Sequence, residues 1–219
     1  MNLPLTSPTI REVVLDVHPN FPTGLKAAKS WTVLMDEAGS CFTDEVFARN
    51  LSVREKGRCV ALLVPEGTEL PALPPKWHAV DATQAEVEGN VTALLEANCG
   101  ILGITADCLN RVHCNLWLLC FENLLDLIVR FLPLEEETVL RLRVEQRGAA
   151  TPQNSLLLQK TCDDVLYRLS RAFPERAGKI TFDACFIRKD EHEWNGYAGT
   201  AAFLWGSPAQ KDLLKRTGG

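Results

Sequence analysis

The sequence has no CxxC pair, no GxSxG, no GK[ST] and no apolar run long enough to span a membrane. Each absence removes a class of function. Its eight cysteines, at 41, 59, 99, 108, 114, 120, 162 and 185, stand singly and match no zinc-binding spacing. A chain of 219 residues has little need of a disulfide framework, so these read as free thiols in a reducing cytoplasm. No basic stretch followed by an apolar core opens the sequence, and no signal peptide is expected. Without GxSxG, a small-molecule hydrolase lacks its nucleophile motif. Without GK[ST], Gly196, Gly199 and Gly206 form no phosphate loop. The longest apolar stretch, 116–132, is interrupted by Glu122, Asp126 and Arg130. It reads as a buried or partner-facing helix and not as a membrane span. An excess of basic charge is missing too. The net charge of -5 and pI near 5.5 argue against a broad basic surface wrapped on nucleic acid. A local basic groove stays open, because the local potential decides.

What is present is ordinary for a globular chain: 46% hydrophobic and 23% charged residues, enough for one sizeable core. The stretch that organises the rest is Trp31-Thr32-Val33-Leu34-Met35-Asp36-Glu37-Ala38-Gly39-Ser40. An apolar run closed by a Gly/Ser turn reads as a strand buried on both faces. Alternation sends Asp36 and Glu37 to opposite faces. A carboxylate at the end of a buried strand is costly unless it is paired, hydrogen-bonded or bound to a cation. Open α/β sheets keep their sites beyond the carboxyl ends of strands, so this is where chemistry is expected. The alternative reading has one carboxylate capping a turn and the other solvated.

Further strands are expected at 58–64, 100–105, 137–145 and 179–187, with a short one at 77–80. Helices are expected at 85–98, 114–131, 153–173 and 196–205. In 137–145, Leu140, Leu142 and Val144 share one face, and Arg141, Arg143 and Glu145 share the other. Residues 1–29, broken by four prolines, read as an arm with a short strand possible near 11–17. Residues 207–219 read as a polar tail. The order predicts one α/β domain, 30–206, with a sheet of about five strands and helices on both faces.

In this order the elements resemble a family of uncharacterised bacterial and archaeal proteins regarded as ribonuclease H-like. Its members open with an aromatic-Ile-Asp-Glu-Ser-Gly strand. The resemblance spans roughly 30–206 and is sharpest at Met35-Asp36-Glu37-Ala38-Gly39-Ser40. It implies a ribonuclease H-like mixed sheet, with Asp36 as the first-strand metal-binding carboxylate, Glu37 beside it, and Glu145 near the end of the neighbouring strand. The family's final helix carries an Ala-Asp pair. Here Ala198 matches its Ala, and Gly199 stands where its Asp is usual.

The activity this implies is metal-dependent phosphodiester hydrolysis on nucleic acid. Two Mg²⁺ or Mn²⁺ ions about 3.5–4 Å apart clamp the attacking and leaving oxygens. Such hard cations take oxygen ligands. The expected catalytic set is Asp36, Glu37, Glu145 and Asp183; the expected metal ligands are Asp36, Glu145, Asp183 and Asp190. Glu145 alternatively pairs with Arg141 or Arg143 on its own face, and Asp183 caps or solvates a strand edge. His192, between Glu191 and Glu193, reads as a general base, a proton shuttle or a solvated loop residue. His113 beside Cys108 and Cys114 reads as core. Trp194 and Trp205 flank the last helix and either stack a base or pack in the core. The rival function is a catalytically degenerate subunit or adaptor, with a protein partner or a second copy docked on the apolar helix 114–131. The expected location is cytoplasmic, with no membrane contact.

Overall fold

The computed structural model describes residues 13–20, 25–38, 55–74, 77–108, 116–145, 152–188 and 191–206. Of these, the side chains of 13–20, 37–38, 55–58, 105–108, 116–119 and 152–155 are outside the description. The elements in chain order are β1 (Val13–Asn20), β2 (Ala28–Ala38), β3 (Glu55–Pro65), α1 (Gln84–Glu96) and β4 (Gly100–Cys108). They continue as α2 (Leu116–Phe131), β5 (Leu134–Glu145), α3 (Pro152–Ala172), the single turn α4 (Pro174–Ala177), β6 (Ile180–Ile187) and α5 (Asn195–Gly206).

The strands form one mixed sheet, ordered β1-β4-β3-β2-β5-β6. β2, β3, β4 and β1 pair antiparallel in succession, while β5 runs parallel to β2 and β6 parallel to β5. β2 is therefore the seam between the antiparallel and parallel halves. Its apolar run is needed because both faces are covered. Trp31, Val33 and Met35 enter the core beneath α2 and α3, and Leu34 enters the core beneath α1 and α5. β5 divides the same way. Leu140, Leu142 and Val144 are buried on the α2/α3 side, and Arg141 and Arg143 face away from it.

α2 lies over β3 and β4 and against α3. Its buried residues Cys120, Phe121, Leu124, Leu125, Ile128 and Val129 fill the chain's own core, and Glu122 pairs with Arg168 of α3 at 3.1 Å. The apolar character that suggested a partner is thus used within the chain. Among the described residues no helix is long and apolar enough to cross a membrane.

Two differences from the sequence reading have local causes. Residues 77–80 are not a strand but lead into a turn, with Asp81 and Ala82 donating to the carbonyls of His78 and Ala79. The β-prone Trp77 is taken up by α5 instead, its indole donating to Thr200 Oγ1 at 3.2 Å. The second concerns the short strand allowed for near 11–17: it is β1, which adds a sixth strand to the expected five and pairs along its whole length with β4.

α5 sits on the sheet through small residues. Ala198, Ala201 and Ala202 are buried, and the Trp205 ring lies flat against Gly103 of β4. A Cβ at position 103 would come within 2.5 Å of that ring, so this close approach requires glycine.

Candidate functional site

β1 and β3 run opposite to β2, whereas β4, β5 and β6 run with it, so the carboxyl end of β2 is shared with β4, β5 and β6, of which β5 is its direct neighbour. Asp36 and Glu145 lie there, each one residue beyond the rung that pairs Met35 with Val144. Adjacent strands are about 4.8 Å apart, and residues level in a parallel ladder share a face. Both carboxylates therefore stand side by side on the α5 face of the sheet.

The first turns of α5 close over them. The Asn195 carboxamide donates to Glu145 Oε2 at 3.3 Å. Asp36 Oδ2 lies 3.6 Å from the point a Cβ at Gly199 would occupy. Residues four apart share one stripe of a helix, so Asn195 and Gly199 face the two acids from the same side.

α5 is held rigidly enough to define this geometry. Thr200 is fully buried; its hydroxyl accepts from Trp77 Nε1 and from Asn90 Nδ2 at 3.3 Å and donates to the Gly196 carbonyl at 2.9 Å. The Tyr197 hydroxyl donates to the Pro71 carbonyl at 2.9 Å. At Gly196 a Cβ would meet Leu73 Cδ1 at 2.7 Å and Trp77 Cδ1 at 2.9 Å, so these two side chains are pressed against the helix.

Asp183 is not brought to this point. It is level with Arg141, four residues before the Ile187 rung that faces Glu145. That places it about 13 Å down the strand. Its carboxylate accepts from Arg143 Nη2 at 2.8 Å, and its backbone carbonyl accepts from Arg143 Nη1 at 2.9 Å. Arg143 thus engages Asp183, while Glu145 is engaged by Asn195. The side chain of Glu37 lies outside the described residues, as do Asp190 and His113. Among the described residues, no three His, Cys, Asp or Glu side chains are grouped to hold a metal ion.

His192 lies in the turn that leads into α5, where the Asn195 amide donates to its carbonyl at 3.0 Å. Its Nδ1 accepts from the Trp194 amide at 3.2 Å, and the two rings meet at 5.3 Å between centroids. Burial lowers its pKa below the ordinary histidine value; Glu193 opposes this and Arg143 adds to it. The imidazole is therefore neutral at pH 7, and with Nδ1 accepting, its proton sits on Nε2, which is a donor and not a base. Trp205 is buried on Gly103 and half-buried Trp194 packs against the α5 core, so both serve packing.

Asn195, Thr200 and Trp77 were not singled out by sequence reasoning. An Asn beginning the last helix is the one local signal that pointed to the first of them. No family model matches this chain, and no curated protein does.

Proposed function

We propose that this is a ribonuclease H-like protein that acts on nucleic acid through Asp36 and Glu145, hydrolysing phosphodiesters with Mg²⁺ or Mn²⁺. One observation carries the reading: the two acids stand together at the seam strand's carboxyl end, beneath the first turns of α5. The strand order supports it by analogy. Setting β1 aside, a three-stranded antiparallel meander is followed by two strands parallel to its first, which is the ribonuclease H-like arrangement.

The donor set fits a hard cation, since two adjacent carboxylates offer charged oxygens to an ion that keeps several waters. When bound, such an ion supplies the activated water and neutralises charge on the phosphate. The chain's own part is positional. Asn195 orients Glu145 by holding one of its oxygens, and α5 shields Asp36 on one side. The open half of the same sheet face carries Arg141, Thr181 and Cys185, all exposed, which leaves room for an extended substrate.

A second reading, a ribonuclease H-like subunit without cleavage activity, is favoured by Gly199. That position looks onto Asp36 and contributes no ligand. Two measurements separate the readings. Mn²⁺ should raise the melting temperature of the wild type and not of Asp36→Asn, because a ligand that binds only the folded state stabilises it by mass action. Labelled RNA, DNA and hybrid should be cut in Mg²⁺ by the wild type and left intact by Glu145→Gln. Mn²⁺ stabilisation without cleavage selects the inactive subunit; neither effect removes the metal site altogether.

A further inference from the structure

α3 buries one face and presents the other to solvent. Leu158, Cys162, Val165 and Leu169 enter the core, and α2, α4 and β6 pack against the helix. Its outer face carries Leu156, Lys160, Asp163 and Tyr167, all exposed. Residues three and four apart lie one above another on a helix, so these four make a single stripe. The stripe is apolar at both ends, with Leu156 72% and Tyr167 66% exposed. Between the ends stand two opposite charges. Lys160 forms no ion pair among the described residues. Asp163 accepts from Gln159 Nε2 at 3.0 Å, a neutral donor that leaves the carboxylate its charge.

We propose that this stripe pairs antiparallel with the same stripe of a second copy of the chain, about a two-fold axis level with the Thr161–Cys162 peptide bond. Such an axis sets each residue opposite the one equally far along on its other side. Leu156 then meets Tyr167 of the second copy, and Lys160 meets Asp163 of the second copy. The order apolar, positive, negative, apolar is its own complement when reversed, which is what a two-fold contact requires. The spacing is that of the a and d positions of a heptad, the pattern that keeps two helices in contact along a seam. The Lys160 stem lies along the neighbouring apolar groups while its ammonium reaches the carboxylate.

The register is selected as well. Sliding one helix by a heptad sets Leu156 against Lys160, or Asp163 against Tyr167, and breaks both matches. α3 covers the sheet face opposite α5, so the two copies stand back to back and both candidate sites stay on outer surfaces. A contact made by one helix from each copy buries little area, so the dimer dissociates on dilution.

Sedimentation velocity of the full chain over a dilution series tests this, with a shift from dimer to monomer expected. Lys160→Asp sets acid against acid on both sides of the axis, and Asp163→Lys sets base against base. Each should weaken the dimer roughly tenfold or more. An equal mixture of the two variants should dimerise again, because the acidic stripe of one matches the basic stripe of the other. Both positions are exposed, so the urea midpoint of each variant, read where the wild type is monomeric, should stay close to that of the wild type. A monomer at every concentration overturns the proposal, as does a dimer indifferent to both reversals. A dimer that each reversal weakens and the mixture fails to restore overturns the register.

Discussion

Gly199 and Asp36 face each other across the α5–β2 contact, with 3.6 Å between Asp36 Oδ2 and the place a glycine Cβ would take. That is ordinary van der Waals distance, so a side chain fits there, and a carboxylate would join Asp36 and Glu145 at one point. Gly199→Asp is expected to lower the melting temperature without metal, through repulsion among three acids. It should raise the Mn²⁺-induced shift above that of the wild type. At a hundredfold excess over Kd, metal binding contributes about 2.7 kcal/mol. Calorimetry with and without Mn²⁺ checks both signs; an unchanged metal response would show that position 199 does not look into a cation site.

Thr200→Val removes the hydroxyl that Trp77 and Asn90 share while keeping the side chain's shape. Leaving buried donors unmet costs about 1–3 kcal/mol. The urea midpoint should fall accordingly with no change in the slope.

Gly103→Ala forces a methyl into the Trp205 ring. Overpacking of this kind costs about 1–3 kcal/mol. The expected signature is a loss of stability together with a changed Trp emission spectrum, because α5 must shift off the sheet.

His192 has a folded pKa below its unfolded value, so the unfolded chain takes up the proton first. Its contribution to stability is intact above about pH 6.5 and lost as pH falls below that. Protonating Nδ1 also turns the Trp194 amide contact into two opposed donors. In urea melts at pH 7.5 and 5.5, His192→Asn should lose less stability on acidification than the wild type.

Thiol chemistry should divide the cysteines. Burial pushes Cys99 and Cys162 up to about 12, and Cys59 and Cys120 are also buried, while Cys185 is exposed. Reagents attack the thiolate, so Cys185 should label rapidly and these four only on unfolding. Peptide mapping after brief iodoacetamide treatment reads the order.

Much of the sheet was legible because its strands carry their burial in their pattern. β2 is apolar on both faces and is covered on both; β5 alternates and is covered on one. β1 was legible as a possible short strand near 11–17, but its extension through His18 and Pro19 and its place beside β4 follow from a long-range pairing that no local pattern encodes. Residues 77–80 failed for the converse reason, as a β-prone tetrapeptide was claimed by contacts with α5. At the candidate site, the meeting of Asp36 and Glu145 follows from strand adjacency. The fate of Asp183 does not. It depends on the register that sets Arg141 level with Asp183 and lets Arg143 reach it diagonally, and no single strand encodes that offset.

The segment between β3 and α1 fastens α5 by one phenol and one indole, at Tyr197 and Trp77. Cutting that exposed strap would unlatch the helix that covers both acids, yet leave the strands and the opposite layer standing. The cover over Asp36 and Glu145 would then be lost well before the sheet lost its shape, from a single peptide-bond break outside it.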